Sequence, residues 1–163
     1  MQKTRLIGRF QAAAALLIAA SLPALAAAQA AQANFEPRVG QAGKDVIWVP
    51  TPNSLIDRML RMANVGPGDR VVDLGSGDGR IAIAAARDFN VPATGIEFNP
   101  NMVALSQRNA EAAGVSDRAT FVNGDLFATD LSKANVITMF LLPSIKMRLR
   151  PTITNLQPGT RIV

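Results

Sequence analysis

Apolar positions recur along this chain with two different periods, and the switches between them mark out its elements. Leu55, Ile56, Met59, Leu60 and Ala63 fall on one face at helical spacing, behind Thr51-Pro52, a capping residue followed by a proline suited to the first helical position. Gly66-Pro67-Gly68 ends that helix, and Val71, Val72 and Leu74 then read as a short buried strand whose apolar run is broken by Asp73. A helix is predicted over residues 79–89, with Ile81, Ala84 and Ala85 toward a sheet, and a second strand over residues 93–96. Asn99-Pro100 repeats the cap-and-proline device and opens a helix reaching about residue 113, where Gly114 stops it. Third and fourth strands are predicted over residues 119–122 and 135–141, the latter almost wholly apolar, as a strand buried on both faces requires. Pro143 and Ser144 open a last helix with the stripe Ile145, Leu149, Ile153 and Leu156, and Pro151 inside it predicts a kink. After the turn at Pro158-Gly159, residues 160–163 begin a fifth strand. Short strands alternating with helices imply an α/β fold, a doubly wound, Rossmann-like and mostly parallel sheet.

The chemistry concentrates where the first strand meets its helix. In Asp73-Leu74-Gly75-Ser76-Gly77-Asp78-Gly79-Arg80, three glycines let the backbone turn tightly and approach a ligand at the carboxyl end of a parallel strand. A dinucleotide fingerprint needs its third glycine at position 80, where this chain has Arg80. Asp73 and Asp78 would also repel phosphates, yet they suit a ligand bearing an ammonium or sulfonium charge, and S-adenosylmethionine bears both. Glu97 ends the second strand 24 residues after Asp73 (97 minus 73), near the offset of roughly 20 at which such folds place an acid on ribose hydroxyls.

The same stretch resembles the first motif of class I S-adenosylmethionine-dependent methyltransferases. Val49-Pro50-Thr51-Pro52, Gly95-Ile96-Glu97-Phe98-Asn99-Pro100 and Asp130-Leu131-Ser132 are similar to motifs of the lysine methyltransferases acting on the adenine nucleotide translocase and on the membrane-ring protein of ATP synthase. The resemblance implies that S-adenosyl-L-methionine is the cofactor. It implies a cofactor set of Asp73, Gly75, Ser76, Gly77, Asp78, Gly79, Glu97, Phe98, Asn99, Asp125 and Leu126. In that set Asp73 meets the methionine ammonium, Gly75 and Gly77 line the methionine part, Phe98 borders the adenine, Asp125 accepts from its amino group and Leu126 packs on the base. Trp48, Val49, Pro50, Thr51 and Phe140 would lie over the methionine end, near the incoming acceptor.

Each position also has a plainer reading. Asp78 and Thr51 suit helix capping, Asn123-Gly124-Asp125 is strong turn chemistry in any protein, and a lone Trp before a helix is often a core anchor. Lys146, Arg148 and Arg150 read as a solvated helix face. Enzymes of this superfamily that methylate base amines or glutamine tend to carry Asn- or Asp-Pro-Pro-aromatic at the end of the fourth strand. Met139-Phe140-Leu141-Leu142-Pro143 is apolar there, which favours an amine needing mainly desolvation and alignment. The implied partner is a protein or small-molecule methyl acceptor rather than nucleic acid, and the implied activity is protein lysine N-methylation. A non-catalytic cofactor-binding or vestigial module and a dinucleotide-dependent oxidoreductase are the alternatives. By the same resemblance two further strands are expected past the fifth, so residues 45–163 are expected to hold the domain without them.

Composition narrows the chemistry. With 163 residues, 48% of them hydrophobic, the chain has length for one domain with a real core. It has no Cys, His or Tyr, which removes Cys-His and Ser-His nucleophilic machinery, disulfides and the common zinc sites. The net charge of +5 drops to +2 without Lys3, Arg5 and Arg9 (17 minus 3, less 12), too little for a nucleic-acid footprint. Those three cations precede an apolar run over residues 12–20, Pro23 and an alanine-rich tract over residues 24–30 with several A-x-A sites. Residues 1–30 therefore read as a signal peptide for export to the periplasm or beyond, with a mitochondrial presequence as the alternative, followed by a flexible lead-in over residues 31–44. The apolar run is shorter than the roughly 20 residues a membrane span needs, so no span is expected in the mature chain.

Overall fold

In the computed structural model, which describes residues 35–45 and 47–163, five parallel strands form one sheet with helices on both faces. The elements run α1 (Asn53–Met62), β1 (Val71–Leu74), α2 (Arg80–Asp88), β2 (Ala93–Glu97), α3 (Pro100–Ala112), β3 (Ala119–Asn123), β4 (Val136–Thr138), α4 (Pro143–Thr154) and β5 (Arg161–Ile162). The sheet order is β3-β2-β1-β4-β5. The chain thus winds outward from β1 through β2 to β3, then returns to lay β4 on the other side of β1. That reversal places a switch point between β1 and β4, where crossover connections diverge and leave a crevice at the carboxyl ends of the strands.

Period-two alternation sorts the side chains between two cores. Val71, Ala93, Ala119, Phe121 and Val136 join Ile56, Leu60, Ile81 and Val103 on the face covered by α1, α2 and α3. Leu74, Ile96 and Ile137 join Ile145 and Leu149 of α4 on the other. Full burial of one such leucine, Leu60 or Leu149, stabilises by about 2 kcal/mol. Residues 81–86 of α2 are all buried, and four of the six are alanine, because this helix is wedged against the sheet between its neighbours.

The predicted boundaries mostly hold, with two differences, at the fourth strand and at Thr51. The fourth strand spans Val136–Thr138, not residues 135–141. Its partner β1 turns away into the glycine loop after Leu74, so beyond Thr138 only β5 remains, and Met139 N donates to Val163 O at 2.9 Å. Thr51 makes no side-chain cap on α1; Pro52 occupies the capping position and Thr51 is instead buried. Helix α4 runs through Pro151 as one element. Asn99, by contrast, caps α3 as expected, its side chain accepting from Asn101 N at 2.9 Å. Within residues 36–45 and 47–50 the chain turns back on itself, with an antiparallel bridge between Ala42 and Ile47 and bonds of 2.9 Å from Gly40 N to Trp48 O and from Trp48 N to Gln41 O. The tract over residues 1–30 lies outside the described residues, as does part of the lead-in. Among the described residues no helix is long and apolar enough to cross a membrane.

Gly79 is the point at which the glycine loop packs against the core. It has φ +84, and a Cβ there would stand 2.7 Å from the Phe121 ring and 2.8 Å from Ser106 Cβ. Gly114 has a similar φ of +67 with nothing within 4 Å of its Cβ position. Gly114→Ala is therefore expected to lower stability by about 1 kcal/mol through backbone strain alone. Gly79→Ala should lose about 3 kcal/mol or more, because overpacking adds to that strain. Equilibrium urea unfolding of the two variants checks the difference.

Candidate functional site

The glycine loop is fixed from three sides before any ligand arrives. Gly75 N and Ser76 N donate to Ile96 O at 2.9 and 3.0 Å, tying the loop to the end of β2. From α3, Ser106 Oγ donates to Gly77 O and Asn109 Nδ2 to Asp78 O, both at 2.9 Å. Gly77 N donates to Glu97 Oε2 at 3.0 Å, and the other oxygen, Oε1, accepts from Asn99 N at 2.9 Å. Each oxygen of Glu97 thus spends one lone pair on holding its own position and keeps another for a ligand hydroxyl.

Asp73, the penultimate residue of β1, has 1% of its surface exposed. The register that sets it opposite Thr138 of β4 lets the Thr138 hydroxyl donate to Oδ1 at 2.7 Å. Its other oxygen, Oδ2, is buried with no hydrogen-bond partner among the described residues, and neither has the Ser76 hydroxyl. Burial pushes the Asp73 carboxyl up to about 7; the Thr138 bond opposes this, and the charges of Glu97 and Asp78 add to it. A buried acceptor left open in this way is costly unless something donates to it. A ligand ammonium would supply that donor.

Asp78 is committed elsewhere. It faces Arg80, with Nη2 to Oδ2 at 2.5 Å and Nε to Oδ1 at 2.9 Å, and Oδ1 also accepts from Arg80 N at 3.4 Å at the start of α2, although the capping position itself is Gly79. Arg80 Nη1 also donates to the Thr51 carbonyl O at 3.0 Å. Asp125 makes the turn its sequence suggests, Oδ1 accepting from Phe127 N at 2.9 Å, while Oδ2 accepts from Lys44 Nζ at 2.7 Å. Lys44 first, then the Phe127 amide, hold the Asp125 carboxyl below the usual carboxylate range.

Two adjoining cavities open on these groups. The larger, with about 800 Å³ of free space partly open to solvent, is lined by Glu97, Phe98, Asn99, Asp125 and Leu126 together with Lys44. The narrower one is lined by Asp73, the loop residues 75–78, Arg80 and residues 48–51. Trp48, Val49, Gly75 and Phe140 border both. Trp48 is half-buried, and its indole nitrogen lies 2.6 Å from where a Gly77 Cβ would be, so it packs on the loop and not in the main core. Phe98 and Phe140 are 51% and 42% exposed, unusual for phenylalanine and consistent with walls awaiting a ligand.

Sequence reasoning gathered most of these residues but missed Arg80, read only as the break in a dinucleotide fingerprint, and four others. Thr138 was legible as the one hydroxyl in an apolar strand, opposite an acid. Ser106 and Asn109 sit one turn apart on α3, a weaker signal. Lys44 had none, since it lies in a stretch without periodicity. The cations on α4 form the exposed face expected of them, and from it Arg148 stacks over the Phe127 ring at 3.9 Å and pairs with Asp45 at 3.1 Å.

With this geometry in hand, the relatives become informative. Residues 73–163 match the ANTKMT methyltransferase domain. A protein-lysine N-methyltransferase of Saccharolobus islandicus is 48% identical over 120 residues, covering 72% of this chain and 74% of that protein. The adenine nucleotide translocase lysine N-methyltransferase of Mus musculus is 36% identical over 109 residues, covering 66% of this chain; the chain spans about half of that relative's length, 47%. Among solved structures, a protein from Salinibacter ruber described as an RNA methyltransferase, in complex with S-adenosyl-L-homocysteine, is 49% identical with a TM-score of 0.68, covering 70% of this chain and 75% of that one. The open acceptor at Asp73, the loop that admits no Cβ and the doubly wound sheet are accounted for together: the chain belongs to the ANTKMT methyltransferase-domain family, Rossmann-like enzymes that use S-adenosyl-L-methionine.

Proposed function

We propose that this domain methylates the side-chain amine of a protein lysine. The observation that carries the reading is the wall of the acceptor side, where Phe140 and Leu141, just past β4, and Trp48 line the cavities with apolar surface. Such a wall suits an amine made nucleophilic by desolvation, since burial lowers a lysine pKa. The S. islandicus relative supports the same acceptor class. A second reading, RNA, is favoured by the description of the S. ruber relative. The apolar strand end offers no polar group to hold an exocyclic base amine, so lysine is preferred.

In this reading the residues divide the work. Asp73 accepts from the methionine ammonium, and Gly75, Ser76, Gly77 and Gly79 bring backbone against the methionine part. Glu97, held by Asn99 N and Gly77 N, accepts from the ribose hydroxyls. Asp125 takes the adenine amino group in exchange for Lys44, with Phe98 and Leu126 flanking the base. Trp48, Val49, Pro50 and Thr51 with Phe140 form the walls along which the acceptor approaches. The bound cofactor supplies an activated sulfonium methyl group. The protein's part is alignment and exclusion of water, and well-aligned reactants gain effective molarities of roughly 10⁵ to 10⁸ M.

We also propose that residues 1–30 direct export, that residues 31–44 are a lead-in, and that residues 45–163 carry the methyltransferase domain. Lys3, Arg5 and Arg9, the apolar run and the alanine-rich tract support export over a mitochondrial address. The mature amino terminus is expected between residues 27 and 32, and amino-terminal sequencing of the protein from its source checks it. An intact Met1 on a soluble cytosolic form would refute export.

Asp73 gives this reading a pH signature. Its carboxyl, raised from 3.8 to about 7, holds its proton to higher pH folded than unfolded. Its contribution to stability is therefore full below about pH 4 and is lost as the pH rises through about 7, and Asp73→Asn should flatten that slope. An ammonium partner favours the ionised form, so S-adenosyl-L-homocysteine should release close to one proton on binding near pH 6 and almost none above about pH 8. Calorimetry in buffers of different ionisation enthalpy measures the release, which Asp73→Asn should abolish. For the acceptor, the full chain with methyl-labelled cofactor should label lysine in protein extract, identified by mass spectrometry. Label confined to RNA would reverse the choice.

A further inference from the structure

We infer that Arg80 binds the carboxylate of the cofactor's methionine moiety, and that Asp78 serves this contact by holding the guanidinium in place. The inference rests on the reading that the Asp73 side of the site receives the methionine end. That end of the cofactor carries two cations, the ammonium and the sulfonium, and one anion, the carboxylate. Among the described residues, the narrow cavity beside the glycine loop is lined by two carboxylates, Asp73 and Asp78, and by one basic side chain, Arg80. The lining is the charge inverse of the ligand. Asp73 has an open oxygen for the ammonium. The carboxylate has one candidate, because neither Lys44 nor any other described lysine or arginine lines this cavity.

Arg80 is built to accept it. A guanidinium has five N–H donors in a fixed plane. Nε is shared between the two Asp78 oxygens at 2.9 and 3.2 Å, Nη2 reaches Asp78 Oδ2 at 2.5 Å, and Nη1 reaches Thr51 O at 3.0 Å. These bonds use the single Nε hydrogen and one hydrogen on each terminal nitrogen. One hydrogen on each terminal nitrogen stays uncommitted, the number a carboxylate accepts as a bidentate fork. The side chain is about one-third exposed, at 32%, so these donors are not sealed in the core. Asp78 and Thr51 immobilise the fork in advance, which removes the ordering cost that a free arginine would incur on binding. The position that breaks a dinucleotide fingerprint thereby gains a use: the glycine expected there would give a pyrophosphate room, whereas arginine gives an amino acid's carboxylate a partner.

Calorimetry on the full chain with three ligands tests this. S-adenosyl-L-homocysteine carries both amino-acid charges, decarboxylated S-adenosylmethionine keeps the ammonium without the carboxylate, and 5′-methylthioadenosine has neither. Arg80→Gln is expected to weaken S-adenosyl-L-homocysteine about tenfold or more, within the range for a charged hydrogen-bonded pair, and to leave the other two within about twofold. Asp73→Asn should weaken the first two and spare the third. An equal loss of all three ligands in Arg80→Gln, or no loss of S-adenosyl-L-homocysteine, would overturn the carboxylate contact alone. Asp73→Asn without effect on either ammonium-bearing ligand would instead remove the reading beneath it. If Arg80→Gln melts below the assay temperature, Arg80→Lys replaces it. That variant keeps the charge without the fork, and the same selective loss for S-adenosyl-L-homocysteine is expected, smaller in size; its absence would again overturn the contact.

Discussion

The absence of side chains at two glycines, one in the loop and one in β2, is the constraint on which the rest of this molecule turns. Gly79 leaves room for the Phe121 ring and Ser106, and Gly95 of β2 leaves room for Phe121 and for Ser76, whose Oγ lies 2.6 Å from where a Cβ would stand. One phenylalanine of β3 therefore reaches under the loop and touches it from below. Alongside that contact, Gly75 N and Ser76 N donate to Ile96 O and tie the loop to the end of β2. Close packing of this kind tolerates little change in volume. Precision in the loop is set by apolar contact beneath it, and the polar groups above inherit it.

Those polar groups share a design in which each carboxylate is oriented by a different neighbour. Thr138 holds one oxygen of Asp73, the backbone of the glycine loop and of the α3 entry holds Glu97, Arg80 holds Asp78, and Lys44 with the Phe127 amide holds Asp125. Of these four carboxylates Asp73 alone is left with an unmet buried oxygen, and its carboxyl is the one pushed furthest from its ordinary value. An electrostatic deficit concentrated at a single atom is a means of favouring one kind of ligand group at one place.

The fold was legible because its signals were local. The period-two alternation of β1 to β3, the capping by Asn99, Pro at the start of α3 and α4, and Gly114 at the end of α3 each act within a few residues. The fourth strand was overread because an apolar run says that residues are buried, not that they are hydrogen-bonded to a neighbour; its pairing ends where β1 departs. Thr51 was misread as a cap because α1 begins one residue later than the pattern suggests, which puts the capping position on Pro52, a side chain with no acceptor. For the site, the acids at strand ends were legible, since topology brings the carboxyl ends of parallel strands together. Lys44 was not, because nothing in the residues around it encodes a contact 81 positions distant with Asp125.

That contact changes how the adenine end of the cleft behaves. Lys44 reaches Asp125 from one side and stands 5.0 Å from the centre of the Phe98 ring, so the domain carries its own tethered cation where an aromatic amine is expected to dock. With Asp125 assigned to the adenine amino group, docking there is an ion exchange, one donor leaving as another arrives. The gain from Asp125 is then the difference between a charged donor and a neutral one, and the released ammonium recovers its hydration. Ionic strength, which screens exposed pairs, shifts that exchange in favour of the neutral base. A family member with a neutral residue at this position would bind its nucleoside with less dependence on salt.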